Sequence, residues 1–294
     1  MKLAILSNVF VGKYIESDYD FFWADIKDVL QKQDLRLLNP QQQLFHQLVD
    51  NTQNAVHVIK AGNIELINLA DNMLIHDNSK VPLALNRADI HTVGIGINEH
   101  QAHEPVEFET NGIKIGIIGF SNKKEHEQHT DGPNIFYTPF GDVTPIKSLL
   151  HEIKQEVDIL VALVQWGSER PEPNDTYQRF AHTLIDEGID IIHGESDHVY
   201  LGVENYNGKL IIYDSGDFVD IYMSNEKQSI PRSFIYEIEV EKRSIHKAKL
   251  IPVLLQENQL KKATDENKTE AITLMQTISK NLGTTISDNG EIEF

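Results

Sequence analysis

Apolar positions along the chain fall into short runs separated by stretches with helical spacing. Residues 2–7 (KLAILS) open the chain as a buried strand. Residues 17–32 start with a Ser/Asp cap signal and carry apolar residues at helical intervals, which predicts a helix. Leu35–Leu38 reads as a second short strand that stops at Asn39-Pro40, and Gln41–Asp50 reads as helical. Two β-rich runs follow, Val56–Ile59 and Ile64–Leu69, with Gly62-Asn63 between them. Residues 80–88 predict a helix, and His91–Ile95 a strand closed by Gly94 and Gly96. Val106–Thr110 and Ile113–Phe120 flank Asn111-Gly112, whose tolerance of positive φ predicts a type I′ hairpin. Residues 121–144 are polar and read as a long loop.

The second half repeats the alternation. Ile146–Glu156 and Asp175–Glu187 predict helices, Ile159–Val164 and Ile189–Ile192 buried strands. Residues 199–214 form a hairpin across Asn207-Gly208, residues 233–254 two more strands, and a polar helix over about 265–282 closes the chain. Helices alternating with strands and hairpins predict an α/β layered fold with central mixed β-sheets flanked by helices, in one domain over 1–294.

Composition narrows the function. Across 294 residues, 26 Lys and Arg stand against 45 Asp and Glu, leaving a net charge of −19. That excess disfavours a nucleic-acid partner, whose phosphates call for basic side chains, and an anionic membrane surface. It accommodates a cationic substrate. The absence of cysteine removes disulfides, thiolate metal sites and a cysteine nucleophile. No apolar run reaches the ~18 residues of a membrane span, and residues 1–13 lack a long apolar leader segment, so the expected location is cytoplasmic.

Ligands in α/β folds gather at the C-terminal ends of parallel strands. Here those ends carry short polar clusters: Ser7-Asn8-Val9, Asn39-Pro40-Gln41, Ala70-Asp71-Asn72-Met73, Gln165-Trp166-Gly167-Ser168-Glu169, His193 through His198, and Asp214-Ser215-Gly216-Asp217-Phe218. Polar residues after a strand are ordinary turn composition; their joint placement on one rim is the informative feature.

These clusters resemble, in order, the motifs of the CapA family, the poly-γ-glutamate or capsule synthesis proteins of calcineurin-like metallophosphatase fold. The family pattern runs from a Gly-Asp-x-x-x-Gly turn through Asn-Leu-Glu, Ala-Asn-Asn-His, His-Trp-Gly-x-Glu and Gly-His-His-Pro-His to Ser-Leu-Gly-Asn-Phe. The resemblance extends from residue 2 to about 283, with Gly94-Ile95-Gly96, Ala102, Pro105, Asn111-Gly112 and Ile251-Pro252-Val253 matching its connectors. It implies the layered metallophosphatase-type fold, and in the family Asp, Glu and His at these positions are expected to hold divalent metals. This chain departs from that pattern: Asn8 stands for the Asp of the first motif, Gln41 for the Glu of the second, Met73 and Gln165 for histidines of the third and fourth, and Glu195 for the first His of the fifth. Asn and Gln keep the shape of Asp and Glu but lose the anionic charge that a hard cation requires, and neither Met nor Gln replaces imidazole for zinc or manganese. A dimetal site is therefore expected to be dismantled, with no cofactor.

What remains is a metal-free acid/base set. His198, which titrates near neutral pH, is placed with Glu195, Asp197 and Asp71 as candidate catalytic groups, and crowded acids are expected to favour its charged form. Asn8, Gln41, Asn72, Gln165, Trp166, Glu169 and Asp217 are candidate substrate contacts, Asn8 and Gln165 as donors to an enolate oxygen. Asp77 also lies on this rim, and the other twelve histidines are read as ordinary core or surface residues. The resemblance adds that CapA-like proteins include a cofactor-independent epimerase of a ribosomal peptide. The expectation leans to an enzyme acting on a peptide or polyglutamate-type amide, by α-carbon epimerisation or hydrolysis, with a peptide partner that the charge would allow to be cationic. Two alternatives stand beside it. One is a capsule or poly-γ-glutamate hydrolase whose Asp71, Glu195, Asp197 and His198 hold one Mg, Mn or Ca ion. The other is a non-catalytic binding protein on a retired metallophosphatase scaffold.

Overall fold

Strand β1 (Lys2–Leu6) shows why the opening run has no polar face. Leu3 and Ile5 point into one apolar layer, Ala4 and Leu6 into another, and all four are buried. A strand covered on both faces reads as a continuous apolar run rather than an alternation. The computed structural model describes residues 1–7, 19–40, 51–70, 80–122, 134–166, 175–195, 200–215, 233–256 and 259–294.

The strands in chain order are β1, β2 (Leu35–Leu38), β3 (Leu66–Asn68), β4 (His91–Val93), β5 (Ile95–Gly96), β6 (Val106–Thr110), β7 (Ile113–Ser121) and β8 (Asn134–Ile135). They continue as β9 (Ile159–Gln165), β10 (Ile191–Glu195), β11 (Tyr200–Tyr206), β12 (Lys209–Ser215), β13 (Ser233–Glu241), β14 (Ser244–Gln256), β15 (Gln259–Lys262) and β16 (Glu291–Ile292). One sheet runs β15-β14-β13-β1-β2-β3-β4, with β16 on β14; the other runs β11-β12-β10-β9-β7-β6. In the first, β1 to β4 are mutually parallel, with Leu3 opposite Leu35 and Leu37 opposite Leu66. In the second, β7, β9, β10 and β12 are parallel and the edge strands β6 and β11 antiparallel.

The two sheets stack face to face. Leu3, Ile5, Leu35, Leu37 and Leu66 of the first share an apolar layer with Ile115, Ile117, Val161, Leu163, Ile191 and Ile212 of the second. Outside the first sheet, the helices Tyr19–Trp23, Thr52–Ala61 and Lys80–Arg87 bury Phe22, Trp23, Val58, Ile59, Val81 and Leu85. Outside the second, Lys147–Glu156 and Asp175–Asp186 bury Leu150, Ile153, Phe180 and Leu184. The C-terminal helix Asp265–Lys280 adds Ala271, Ile272 and Met275 to the layer between the sheets. The result is a helix–sheet–sheet–helix stack, the expected layered α/β class with mixed sheets. Among the described residues, no helix is long and apolar enough to cross a membrane.

One element differs in kind. The expected strand Val56–Ile59 lies inside the helix Thr52–Ala61. Asn51 caps it, its side chain accepting the Asn54 N–H at 3.4 Å, and Ala55, Val58 and Ile59 fall on one buried face. Burial of that face outweighs the modest helix penalty of β-branched residues. Two others differ in extent. His91–Ile95 divides at Gly94 (φ +79°), and Ile95–Gly96 pairs instead with Asn134–Ile135. That second strand lies within the expected 121–144 loop, and Ser121 belongs to β7. Both Asn-Gly turns carry positive φ at both residues, at 111–112 and 207–208. The expected helix Gln41–Asp50 lies outside the described residues.

Candidate functional site

Parallel strands bring their C-terminal ends to one rim, and the two sheets are sewn together there by side-chain amides. Asn68 ends β3. Its Oδ1 accepts the Ala70 N–H at 3.0 Å, and its Nδ2 donates to Leu163 O at 3.0 Å and Asn39 Oδ1 at 2.9 Å. Gln165 ends β9, and its Nε2 donates to Asn39 Oδ1 at 3.0 Å and Pro40 O at 2.7 Å. Asn39, just past β2, donates from Nδ2 to His193 O at 2.8 Å and stands 3.2 Å from His193 Nδ1. His193 Nε2 lies 2.9 Å from Ser215 Oγ at the end of β12. Asn39, Asn68, Gln165, His193, Glu195 and Ser215 are all buried. The two sheets thus share a polar seam in which Asn39, Asn68, Gln165, His193 and Ser215 are hydrogen-bonded across the apolar layer, as a buried network has to be if it is not to cost stability.

Burial sets the electrostatics. It pushes the His193 imidazole down to about 3, so the ring is neutral at physiological pH. It pushes the Tyr236 hydroxyl well above its ordinary range. The Tyr236 ring meets His193 edge-on at 5.8 Å between centroids. The Glu195 carboxylate oxygen stands 3.9 Å from His193 Nδ1, and Glu195 pairs in register with Gln165.

Of the residues singled out from sequence, the structure brings Gln165, Trp166 and Glu195 to this rim. Gln165 commits both Nε2 hydrogens within the protein, so it is not the enolate donor expected of it. Trp166 is fully buried, donates its indole N–H to Tyr213 O at 2.8 Å and packs edge-on against Tyr177 and Phe180. It serves as a wall of the second sheet's outer core, because the indole's one donor is already satisfied. Asn8, Gln41, Asp71, Asn72, Met73, Asp77, Glu169, Asp197, His198 and Asp217 lie outside the described residues. Sequence reasoning missed Asn68 and assigned no role to Asn39, His193 or Ser215. Each is a polar residue at or next to the last inward-facing position of a buried apolar strand, and that placement is the signal that marks them.

Among the described residues, no group of three or more His, Asp or Glu is placed to hold a metal ion; Asn8, Gln41, Met73 and His198 of the family pattern lie outside them. Where the family pattern calls for an imidazole, Gln165 presents a hydrogen-bonding N–H₂, which has no lone pair for a cation.

The fold is that of the 5′-nucleotidase and metallophosphatase group. A putative 5′-nucleotidase from Staphylococcus aureus in complex with alpha-ketoglutarate superposes with a TM-score of 0.59 at 15% identity, covering 96% of this chain and 58% of that one. A hypothetical protein from Thermus thermophilus gives a TM-score of 0.55 at 12% identity, covering 90% of this chain and 100% of that one. Within this class, the family described as "Bacterial capsule synthesis protein PGA_cap" matches residues 5–222, and the chain belongs to it. The PGA biosynthesis protein CapA of Bacillus subtilis (strain 168) is 28% identical over 186 residues, 58% of this chain and 46% of that protein. The capsule biosynthesis protein CapA of Bacillus anthracis is 24% identical over 181 residues, 57% of this chain and 43% of that protein. The matched stretch therefore spans less than half the length of either relative.

Proposed function

We propose that this chain is a CapA-type enzyme of the cytoplasm that acts on a peptide or polyglutamate-type amide by acid/base chemistry, with no metal centre, and that its reaction is epimerisation at a peptide α-carbon. The observation that carries this reading is the amide seam. Gln165, which stands where the family pattern has a histidine, fills that place with an N–H₂ group hydrogen-bonded to Asn39 Oδ1 and Pro40 O.

Epimerisation needs one group to take the α-proton and a second to return a proton on the opposite face, leaving a transient enolate between them. Glu195 at the end of β10, with Asp197 and His198 after it, supplies one side of this pair, and Asp71 after β3 the other. A peptide also suits the protein's charge. A net charge of −19 repels a polyanionic γ-glutamyl chain and attracts a cationic peptide.

The test incubates purified protein in deuterated water with a Lys-rich peptide and, separately, a γ-glutamyl oligomer, with and without a chelator. Mass spectrometry reads α-deuteration, and chiral amino-acid analysis reads inversion. The expected result is α-deuterium and D-residues in the peptide at a rate unchanged by the chelator, and loss of both in Glu195→Gln. No exchange with any peptide refutes the reading. Activity abolished by the chelator and restored by Mg, Mn or Ca at one ion per chain replaces it with the metal-dependent hydrolase.

A further inference from the structure

We propose that His193 is a positioning residue of this site: a neutral imidazole held in its Nε2–H form by the Asn39 amide and directed at Ser215, so that the end of β10 carrying Glu195 keeps one geometry. Its positioning role rests on the reading of the rim as an acid/base site; the direction of its hydrogen bonds does not.

Two backbone groups of unambiguous sense fix the amide orientations of Asn68 and Gln165. The Ala70 N–H can only donate, so Asn68 presents Oδ1 to it, and Nδ2 faces Leu163 O and Asn39 Oδ1. The Pro40 carbonyl can only accept, so Gln165 presents Nε2, and the same nitrogen donates to Asn39 Oδ1. With two donors on its oxygen, Asn39 turns Nδ2 toward His193, whose carbonyl takes one hydrogen at 2.8 Å. An amide nitrogen cannot accept a hydrogen bond. The second hydrogen of Asn39 Nδ2 faces both Val164 O at 3.4 Å and His193 Nδ1 at 3.2 Å, and so short a nitrogen–nitrogen contact is attractive only if Nδ1 accepts, which puts the ring proton on Nε2. Nε2 in turn donates to Ser215 Oγ at 2.9 Å.

This sense is the reverse of a nucleophile-activating Ser–His pair, in which Nε2 accepts from the hydroxyl and Nδ1–H donates to a carboxylate. His193 therefore does not draw the proton from Ser215, and proton exchange with substrate falls to other groups on the rim. Its work is mechanical. Two residues before Glu195, Asn39 holds the main chain of β10 through the His193 carbonyl, while the His193 ring reaches β12 through Ser215. Burial keeps the ring uncharged, in accord with this geometry.

Long-range proton–nitrogen NMR on the full chain labelled with ¹⁵N-histidine tests the direction, with His193 assigned by its disappearance in His193→Gln. The expected spectrum at pH 7 shows His193 as the Nε2–H tautomer. Asn39→Asp, whose carboxylate can only accept, shifts it to Nδ1–H or the doubly protonated ring, and Ser215→Ala leaves it Nε2–H. An Nδ1–H signal in the native chain, or an unchanged tautomer in Asn39→Asp, overturns the proposal. Should Asn39→Asp fail to fold, a tautomer that flips in Ser215→Ala overturns it equally. For the positioning role, His193→Leu is expected to lower α-proton exchange turnover about 100-fold with KM little changed. His193→Gln, whose Nε2 still donates to Ser215, recovers most of it. Equal loss in both variants, or a loss confined to KM, refutes positioning. A native Nε2–H ring in a chain that exchanges no peptide α-proton refutes the acid/base reading and leaves the Asn39-set tautomer standing.

Discussion

Asp190, one residue before β10, is a buried carboxylate shared by the ammonium groups of Lys154 and Lys209, and it accepts the Leu160 N–H at 2.8 Å. It sits at the opposite end of the second sheet from the rim, where polar networks serve stability. Replacing it with Ala strands a buried N–H while both lysines, each about a quarter exposed, turn to water. The expected loss is about 2–3 kcal/mol, read as a lower urea midpoint at unchanged denaturant slope; a change under about 0.5 kcal/mol would show the pair to be surface-like. At the rim, His193 gives the protein an acid sensitivity of known sign. Its folded value of about 3 lies below the ordinary 6.5 of the unfolded chain. Above pH 6.5 both states are neutral and its contribution is fully present. Between 6.5 and 3 the unfolded chain takes up the proton first, and stability falls by up to about 1.4 kcal/mol per pH unit. Urea midpoints from pH 7 to 4 are expected to decline less steeply in His193→Gln, and parallel declines would contradict a buried neutral ring.

At the element scale, the close approach of Trp166 to Gly194 locks β9 against β10. A Cβ added at Gly194 would overlap the indole nitrogen and crowd the Tyr213 carbonyl to which that nitrogen donates. Overpacking of this kind costs about 1–3 kcal/mol or more, so Gly194→Ala is expected to lower stability and change the fluorescence of Trp166, with Trp23, far off in the first sheet's helix layer, unaffected. A Gly194→Ala chain with native melting and emission would show that the indole has room to move. Elements built on local chemistry were legible: the two Asn-Gly hairpins follow from the φ preference of their turn residues. The helix Thr52–Ala61 was not. Its Val56–Ile59 run has β propensity, and only the helix layer over the first sheet, where the Val58 carbonyl accepts the Trp23 indole N–H at 2.8 Å, makes that face worth burying as a helix.

For the whole molecule, the net charge of −19 governs encounters before contact. Attraction of a Lys-rich peptide is expected to weaken as ionic strength rises beyond about 0.15 M, where the Debye length is about 8 Å, while any binding of a γ-glutamyl chain strengthens. Titration calorimetry across a salt series reads both trends, and the opposite order would mean that a local basic feature outweighs the overall charge.

The linear chain was sufficient for the layered α/β class and for the polar clusters at the strand ends, because periodicity, turn chemistry and side-chain type are properties of neighbours along the backbone; that amides stand where cation ligands are expected came from the family resemblance alone. It was silent on the union of Asn39, Asn68, Gln165, His193 and Ser215. These come from five strands in two sheets, up to 176 positions apart in number, and each alone reads as a polar residue ending a strand. Only stacking the sheets places an amide nitrogen beside one imidazole nitrogen and a hydroxyl beside the other. That juxtaposition, which no spacing encodes, decides which way the proton on His193 points.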